Sequence, residues 1–111
     1  MSQEFEQIRD RLRGFAAARD WEKFHSPRNL ALALCGEAGE LAAELQWVSD
    51  AEVPDHLRDA AARARLADEM ADVLIYLVRF ADVSGIDLLS EAYAKIGRNE
   101  NRFPVPSPDS A

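Results

Sequence analysis

Apolar residues recur with a helical period along almost the whole chain. Phe5, Ile8, Leu12, Phe15 and Ala16 share one face of a first helix predicted over residues 3–19, with Ser2 as its N-cap and Gly14 a weak point. Residues 19–27 form a connector rich in aromatic and basic groups. Ser26 then Pro27 reads as N-cap and first helical position, because proline's fixed φ and missing N–H cost nothing there. A second helix is expected from 27 to 48, carrying Leu30, Leu32, Ala33, Leu34, Leu41 and Leu45 inward, with Trp47 closing it.

Residues 49–54 read as a loop, and a third helix starts at Pro54 or Asp55. Its first half, 57–65, is rich in Ala and Arg and is expected to be exposed or slightly broken. From 66 to 81 it is apolar nearly all round, so it needs cover on more than one side, more than a four-helix monomer provides. Ser84-Gly85 supplies a stop with Gly85 at the left-handed position after the helix. Asp87 caps a fourth helix running to Gly97 or Asn99, with Leu88, Leu89, Ala92, Tyr93 and Ile96 inward. The run from Arg102 to Pro108 has three prolines and cannot continue it. The expectation is an all-α four-helix bundle completed by homo-oligomerisation. One domain covers residues 1–105, and a Pro/Ser tail over 106–111 is expected to be disordered.

The totals narrow the functions. A formal charge of −7 leaves no basic stripe for a nucleic-acid polymer. The longest apolar run, residues 73–78, falls far short of the roughly 20 residues that span a bilayer. The first residues carry neither a basic nor an apolar segment of a leader, so the expected location is cytoplasmic with no membrane partner. The single cysteine, Cys35, sits in an apolar helical run and is expected to be a buried free thiol.

Two acid pairs carry the candidate chemistry. Glu37 and Glu40 stand three residues apart, as do Glu69 and Asp72, and on a helix that spacing puts Cβ atoms about 5–6 Å apart on one face. Asp72 is followed by Val73, Leu74 and Ile75, so an unpaired charge there would be costly. Two such pairs on facing helices form a cup of hard oxygen ligands suited to Mg²⁺, with Mn²⁺ able to substitute, and unsuited to zinc. A di-iron carboxylate centre is disfavoured for want of Glu-x-x-His on two helices. The competing reading neutralises the acids by salt bridges to Arg63, Arg65 or Arg79. Glu44, one turn beyond Glu40, is either a further ligand or an exposed residue. Trp21, Phe24, His25 and Trp47 offer walls for a planar ring, or core packing. Lys95 and Asn99, one turn apart, offer a cation and an amide to phosphate oxygens, or simply end a solvated helix.

With these residues laid out, the chain resembles the all-α nucleoside triphosphate pyrophosphohydrolases of the MazG type, and is similar to the short dCTP pyrophosphatase-like members. The resemblance rests on Asp20 to His25 with Pro27 to Leu30, on Glu37 to Leu41 with Gln46-Trp47, on Glu69 to Leu77, and on Lys95 to Asn99 leading to Arg102-Phe103-Pro104. It implies Mg²⁺-dependent cleavage of a (d)NTP between the α- and β-phosphates, giving (d)NMP and pyrophosphate, in housecleaning of dCTP-like or modified deoxynucleotides. It further implies Glu37, Glu40, Glu69 and Asp72 as the catalytic metal-holding acids. Trp21, His25 and Trp47 would lie on the base side, Tyr76 at the sugar or phosphate, and Lys95 and Asn99 at the phosphates, in a homodimer or homotetramer. Phe103 replaces the more usual tyrosine, and Arg11-Leu12-Arg13 lacks the histidine expected of some cytosine-preferring members. Two alternatives stand beside this reading: a dUTP or phosphoribosyl-ATP pyrophosphohydrolase, and a non-catalytic helical oligomer.

Overall fold

The computed structural model describes residues 3–108; Ser2, the expected N-cap, and tail residues 109–111 lie outside them. Helix α1 spans Gln3–Ala18, α2 Pro27–Ala43, α3 Val53–His56, α4 Ala60–Val83 and α5 Leu88–Arg102, and a 3-10 turn, Glu22–Phe24, lies between α1 and α2. No strand occurs among the described residues. No described helix is long and apolar enough to cross a membrane.

Local chemistry sets most boundaries. Ser26 Oγ accepts the N–H of Asn29 at 3.1 Å, with Pro27 in the first turn. Asp87 Oδ1 accepts from Ser90 N at 3.2 Å and opens α5. Helix α4 ends in a Schellman motif. Gly85 takes φ 68°, the N–H of Ile86 bonds Ala81 O at 2.9 Å, and that of Gly85 bonds Asp82 O at 3.2 Å. The expected third helix is in fact two, because Asp59 turns extended and its carboxylate accepts Ala62 N at 2.9 Å, starting a new helix at residue 60. The second helix is shorter than expected: its helical run stops at Ala43, and residues 44–47 continue as turns.

Helix α4 is the axis of the fold, and α2 and α1 pack against it antiparallel. Glu44 meets Arg65 near one end of α4 while His25 meets Arg79 near the other, and Arg13 of α1 meets Asp82. The core is thin. Ala16, Leu30, Ala62, Val78 and Ala81 are its buried apolar residues, and Arg79 is buried with them. Several residues assigned inward lie outside it. Leu32, Ala92, Tyr93 and Ile96 are exposed, and so is Cys35. The physical reason is that α2 is covered on one side only, and α5 makes little contact with the rest of its own chain.

The consequence is an extended molecule of 57 × 37 × 26 Å with a radius of gyration of 18.0 Å, where a compact chain of this length has about 13 Å. Its accessible surface is 8441 Å²; a compact monomer of this mass exposes roughly 6,100 Å². Met70, Leu74, Tyr93 and Ile96 are among the large apolar side chains left in water.

Candidate functional site

The two acid pairs meet where α2 crosses α4. Glu37, Glu40 and Glu69 each place a carboxylate oxygen within 4.8 Å of the others, and Asp68, Glu69 and Asp72 do the same. Glu69 belongs to both sets, so five carboxylates from two helices form one continuous cluster. Glu37, Glu69 and Asp72 are half-buried, whereas Glu40 and Asp68 are exposed.

The cluster lacks its own counter-charge. Among the described residues none of these five acids takes part in an ion pair. Oε2 of Glu37 and Oε2 of Glu69 are buried without a hydrogen-bond partner, an arrangement that is costly for a carboxylate. Burial, then the charge of Glu40, then that of Asp72 hold the Glu37 carboxyl above the usual range. Glu69 is raised by burial and then by Glu40. Two of the three arginines offered by the competing reading are otherwise engaged: Arg65 Nε pairs with Glu44 at 3.4 Å and Arg79 Nη1 with Asp82 at 3.3 Å. A hard divalent ion suits the donor set. Two oxygens on opposite sides of Mg²⁺ or Ca²⁺ stand about 4–5 Å apart, and the oxygens left without a proton donor here are what such an ion requires.

Beside the cluster lies a cavity of about 360 Å³. Leu12 and Phe15 of α1, Trp21 and His25 of the connector, Leu30 of α2, and Asp72, Ile75, Tyr76 and Arg79 of α4 line it. Helix α1 ends in a second Schellman motif that aims Trp21 here. Asp20 occupies the left-handed position at φ 55°, and the N–H of Trp21 bonds Ala16 O at 2.9 Å. The hydrophobic contact typical of that motif is the edge-on meeting of the Phe15 and Trp21 rings, 5.5 Å between centroids. Asn29 Nδ2 donates to Phe24 O at 3.0 Å and ties the connector down. Trp21 and His25 meet edge-on at 6.5 Å. His25 Nδ1 accepts from Arg79 Nε at 3.0 Å. Burial first, then the charge of Arg79, hold the imidazole below its ordinary pKa.

Of the residues singled out in the sequence, the four acids come together, and Trp21, His25 and Tyr76 line the adjoining cavity. Trp47 does not join them: it is 88% exposed in the turns after α2. Lys95 and Asn99 sit on α5 and line neither the cluster nor the cavity. Glu44 is taken by Arg65. Glu22, three residues before His25, has a di-iron spacing, but it lies on the 3-10 turn and His25 faces Arg79. Sequence reasoning missed Asp68 and the cavity roles of Phe15 and of Arg79, which it offered only as an ion-pair partner. Asp68 was legible as the residue one helical turn before Asp72; a buried arginine carries no such mark.

Fold and site together define an all-α protein that gathers carboxylates from two antiparallel helices against an aromatic-walled cavity. A MazG nucleotide pyrophosphohydrolase domain matches residues 25–104, and the chain belongs to that family. It is 52% identical to dCTP pyrophosphatase 1 of Rattus norvegicus over 91 residues, 82% of this chain and 54% of that protein. The human counterpart is 48% identical over the same span. The chain thus spans about half the length of the curated relatives it matches. Among solved structures it is similar to a pyrophosphatase from Archaeoglobus fulgidus, with a TM-score of 0.86 and 34% identity, covering 95% of this chain and 96% of that one.

Proposed function

We propose that this chain is a nucleoside triphosphate pyrophosphohydrolase, cleaving (d)NTP between the α- and β-phosphates to (d)NMP and pyrophosphate with Mg²⁺, or Mn²⁺ in its place. The proposed substrates are dCTP-like or modified deoxynucleotides. The observation that carries the proposal is the double membership of Asp72, which lies in the carboxylate cluster and in the wall of the ring-sized cavity. A base in the cavity would set its triphosphate beside the acids. The similarity to dCTP pyrophosphatase 1 supports the substrate class.

Glu37, Glu40, Glu69 and Asp72 would hold the metal. Bound there, a hard divalent ion supplies the charge neutralisation that lets a −7 chain accept a triphosphate and stabilises the leaving pyrophosphate. The chain's own work is positional. Trp21 and Phe15 offer ring surface to the base, and Leu12, Leu30 and Ile75 exclude water from it. Tyr76, one turn past Asp72, is placed for the sugar. A carboxylate of the cluster is suited to orient the attacking water and take its proton. Helix α5 has little cover in its own chain, and the proposed cover is a second copy, in a homodimer or homotetramer. The excess surface of roughly 2,300 Å² fits the area each subunit buries in an obligate assembly. Lys95 and Asn99 would then serve the phosphates from that assembled face, and Trp47 would close the base side.

The test is a panel of canonical and modified deoxynucleoside triphosphates with Mg²⁺, read by phosphate release with added pyrophosphatase. Turnover is expected, and Glu40→Gln and Asp72→Asn are expected to abolish it. Full turnover in both variants would remove the site.

A further inference from the structure

The cavity holds a buried cation that the reaction itself does not use. Arg79 is 7% exposed, and its guanidinium is fixed from both sides. Nη1 donates to Asp82 Oδ2 at 3.3 Å, and Asp82 is in turn clamped by Arg13 through Nε at 3.0 Å and Nη2 at 2.6 Å. The Arg79 Nε–H points at His25 Nδ1, 3.0 Å away. A guanidinium has five donors, no acceptor and no accessible neutral form. The imidazole nitrogen facing it must therefore offer a lone pair, and a neutral ring that does so carries its proton on Nε2. That Nε2 has no partner among the described residues, and its ring is part of the cavity wall beside Trp21.

We infer that Arg79 is a positioning residue for base recognition: it locks His25 as the Nε2–H tautomer, so that the cavity selects rings presenting a lone-pair acceptor at that edge. The inference rests on the proposed seating of a base in this cavity. A ring presenting its own N–H there would set two donors face to face and leave both unpaired, and discrimination of that kind is larger than a shape mismatch alone supplies. The lock begins in Arg13 on α1, passes through Asp82 and Arg79 on α4, and ends in the connector, so three segments must be assembled before the donor is aimed. The reluctance of His25 to protonate, for which burial comes before the neighbouring Arg79 charge, keeps the neutral ring in place, opposed only by Glu22.

The first measurement needs no turnover. In the full chain labelled with ¹⁵N-histidine, the imidazole nitrogens of His25 are expected to show a lone-pair Nδ1 and a protonated Nε2 at neutral pH. An Nδ1–H tautomer, or an averaged mixture, overturns the lock. Arg79→Met keeps the Arg13–Asp82 pair and removes the donor. It is expected to give the averaged mixture and a KM raised about tenfold, the size of one hydrogen bond, with kcat within about twofold. An unchanged tautomer in Arg79→Met overturns the assignment to Arg79. Should that variant fail to fold, the amide pair decides. His25→Gln, which can place an N–H where Nε2 stood, is expected to retain more discrimination between acceptor and donor rings than His25→Asn, and equal loss in both overturns the selection. An Nε2–H tautomer whose signals no triphosphate of the panel moves overturns the selection together with the reading of the cavity as a base site. A triphosphate that moves them in a ring carrying Nδ1–H overturns this inference alone.

Discussion

Arg65 Nε reaches Glu44 Oε2 at 3.4 Å, and so neutralises the acid one turn beyond Glu40 while leaving the clustered acids uncompensated. The pair divides the acids of α2 into two roles. Glu44→Gln is expected to leave turnover within about threefold of wild type, since a partly exposed ion pair contributes little. Glu40→Gln is expected to cost on the order of a thousandfold, the scale of lost transition-state charge stabilisation. Initial rates at saturating Mg²⁺ check both, and equal losses would place Glu44 among the metal-holding acids.

Orphaned oxygens on Glu37 and Glu69 imply that the metal-free protein stores repulsion. Removing one charge from the cluster should relieve it. After chelation, Glu37→Gln is expected to melt at a higher temperature than wild type. Adding Mg²⁺ or Mn²⁺ should reverse the order, because wild type gains about 2.7 kcal/mol at a hundredfold excess over Kd and the variant gains less. Scanning calorimetry with and without metal gives the comparison. A wild-type Tm indifferent to both ions would contradict it.

Asp82 carries the coupling between α1 and α4. A hydrogen bond from Arg13, then the charges of Arg13, Arg79 and Arg9, hold its carboxyl below the ordinary value of 3.8 against the opposing effect of burial. An acid held low in the folded state binds fewer protons there than when unfolded. Its stabilisation is therefore complete above the ordinary value and lost as pH falls through the lower folded value. Asp82→Asn is expected to lose about 2 kcal/mol at neutral pH, by leaving a buried guanidinium short of an acceptor. Urea unfolding at successive pH values should show that gap closing in acid. A gap constant down to pH 2 would mean the carboxylate charge plays no part.

How much of this was legible depends on the range of the interaction. Ser26-Pro27, Gly85 and Asp87 were readable because a cap is settled within four residues. The acid pairs were readable because their spacing matches one helical face. Asp59 was missed as a cap, since the Ala- and Arg-rich run around it continues a helical pattern on both sides. Asp20 in the left-handed region was missed because only glycine advertises that conformation, and with it went the reason Trp21 enters the cavity. Lys95, Asn99 and Trp47 lie apart from the cluster and cavity of a single chain for a different cause. Family resemblance assigned them to the site, and α5, which carries Lys95 and Asn99, has little cover within this chain.

The thin cover of α5 leaves apolar side chains on two helices in water. Tyr93 and Ile96 lie on α5, Met70 and Leu74 on α4, and all four are exposed. In an isolated chain a charge at residue 96 could reach water, since Ile96 is 52% exposed, and would cost within about 0.5 kcal/mol. In an assembly it would be buried without a partner and would break the interface. Ile96→Glu is therefore a discriminating substitution. Light scattering should find wild type as a homodimer or homotetramer whose Tm rises with protein concentration. The variant should be smaller, concentration-independent in Tm, and deficient in turnover, because Lys95 and Asn99, the proposed phosphate contacts, would no longer face an assembled site. If wild type is a monomer at every concentration yet hydrolyses triphosphates, α5 stands outside the reaction, and the acids and cavity of a single chain suffice.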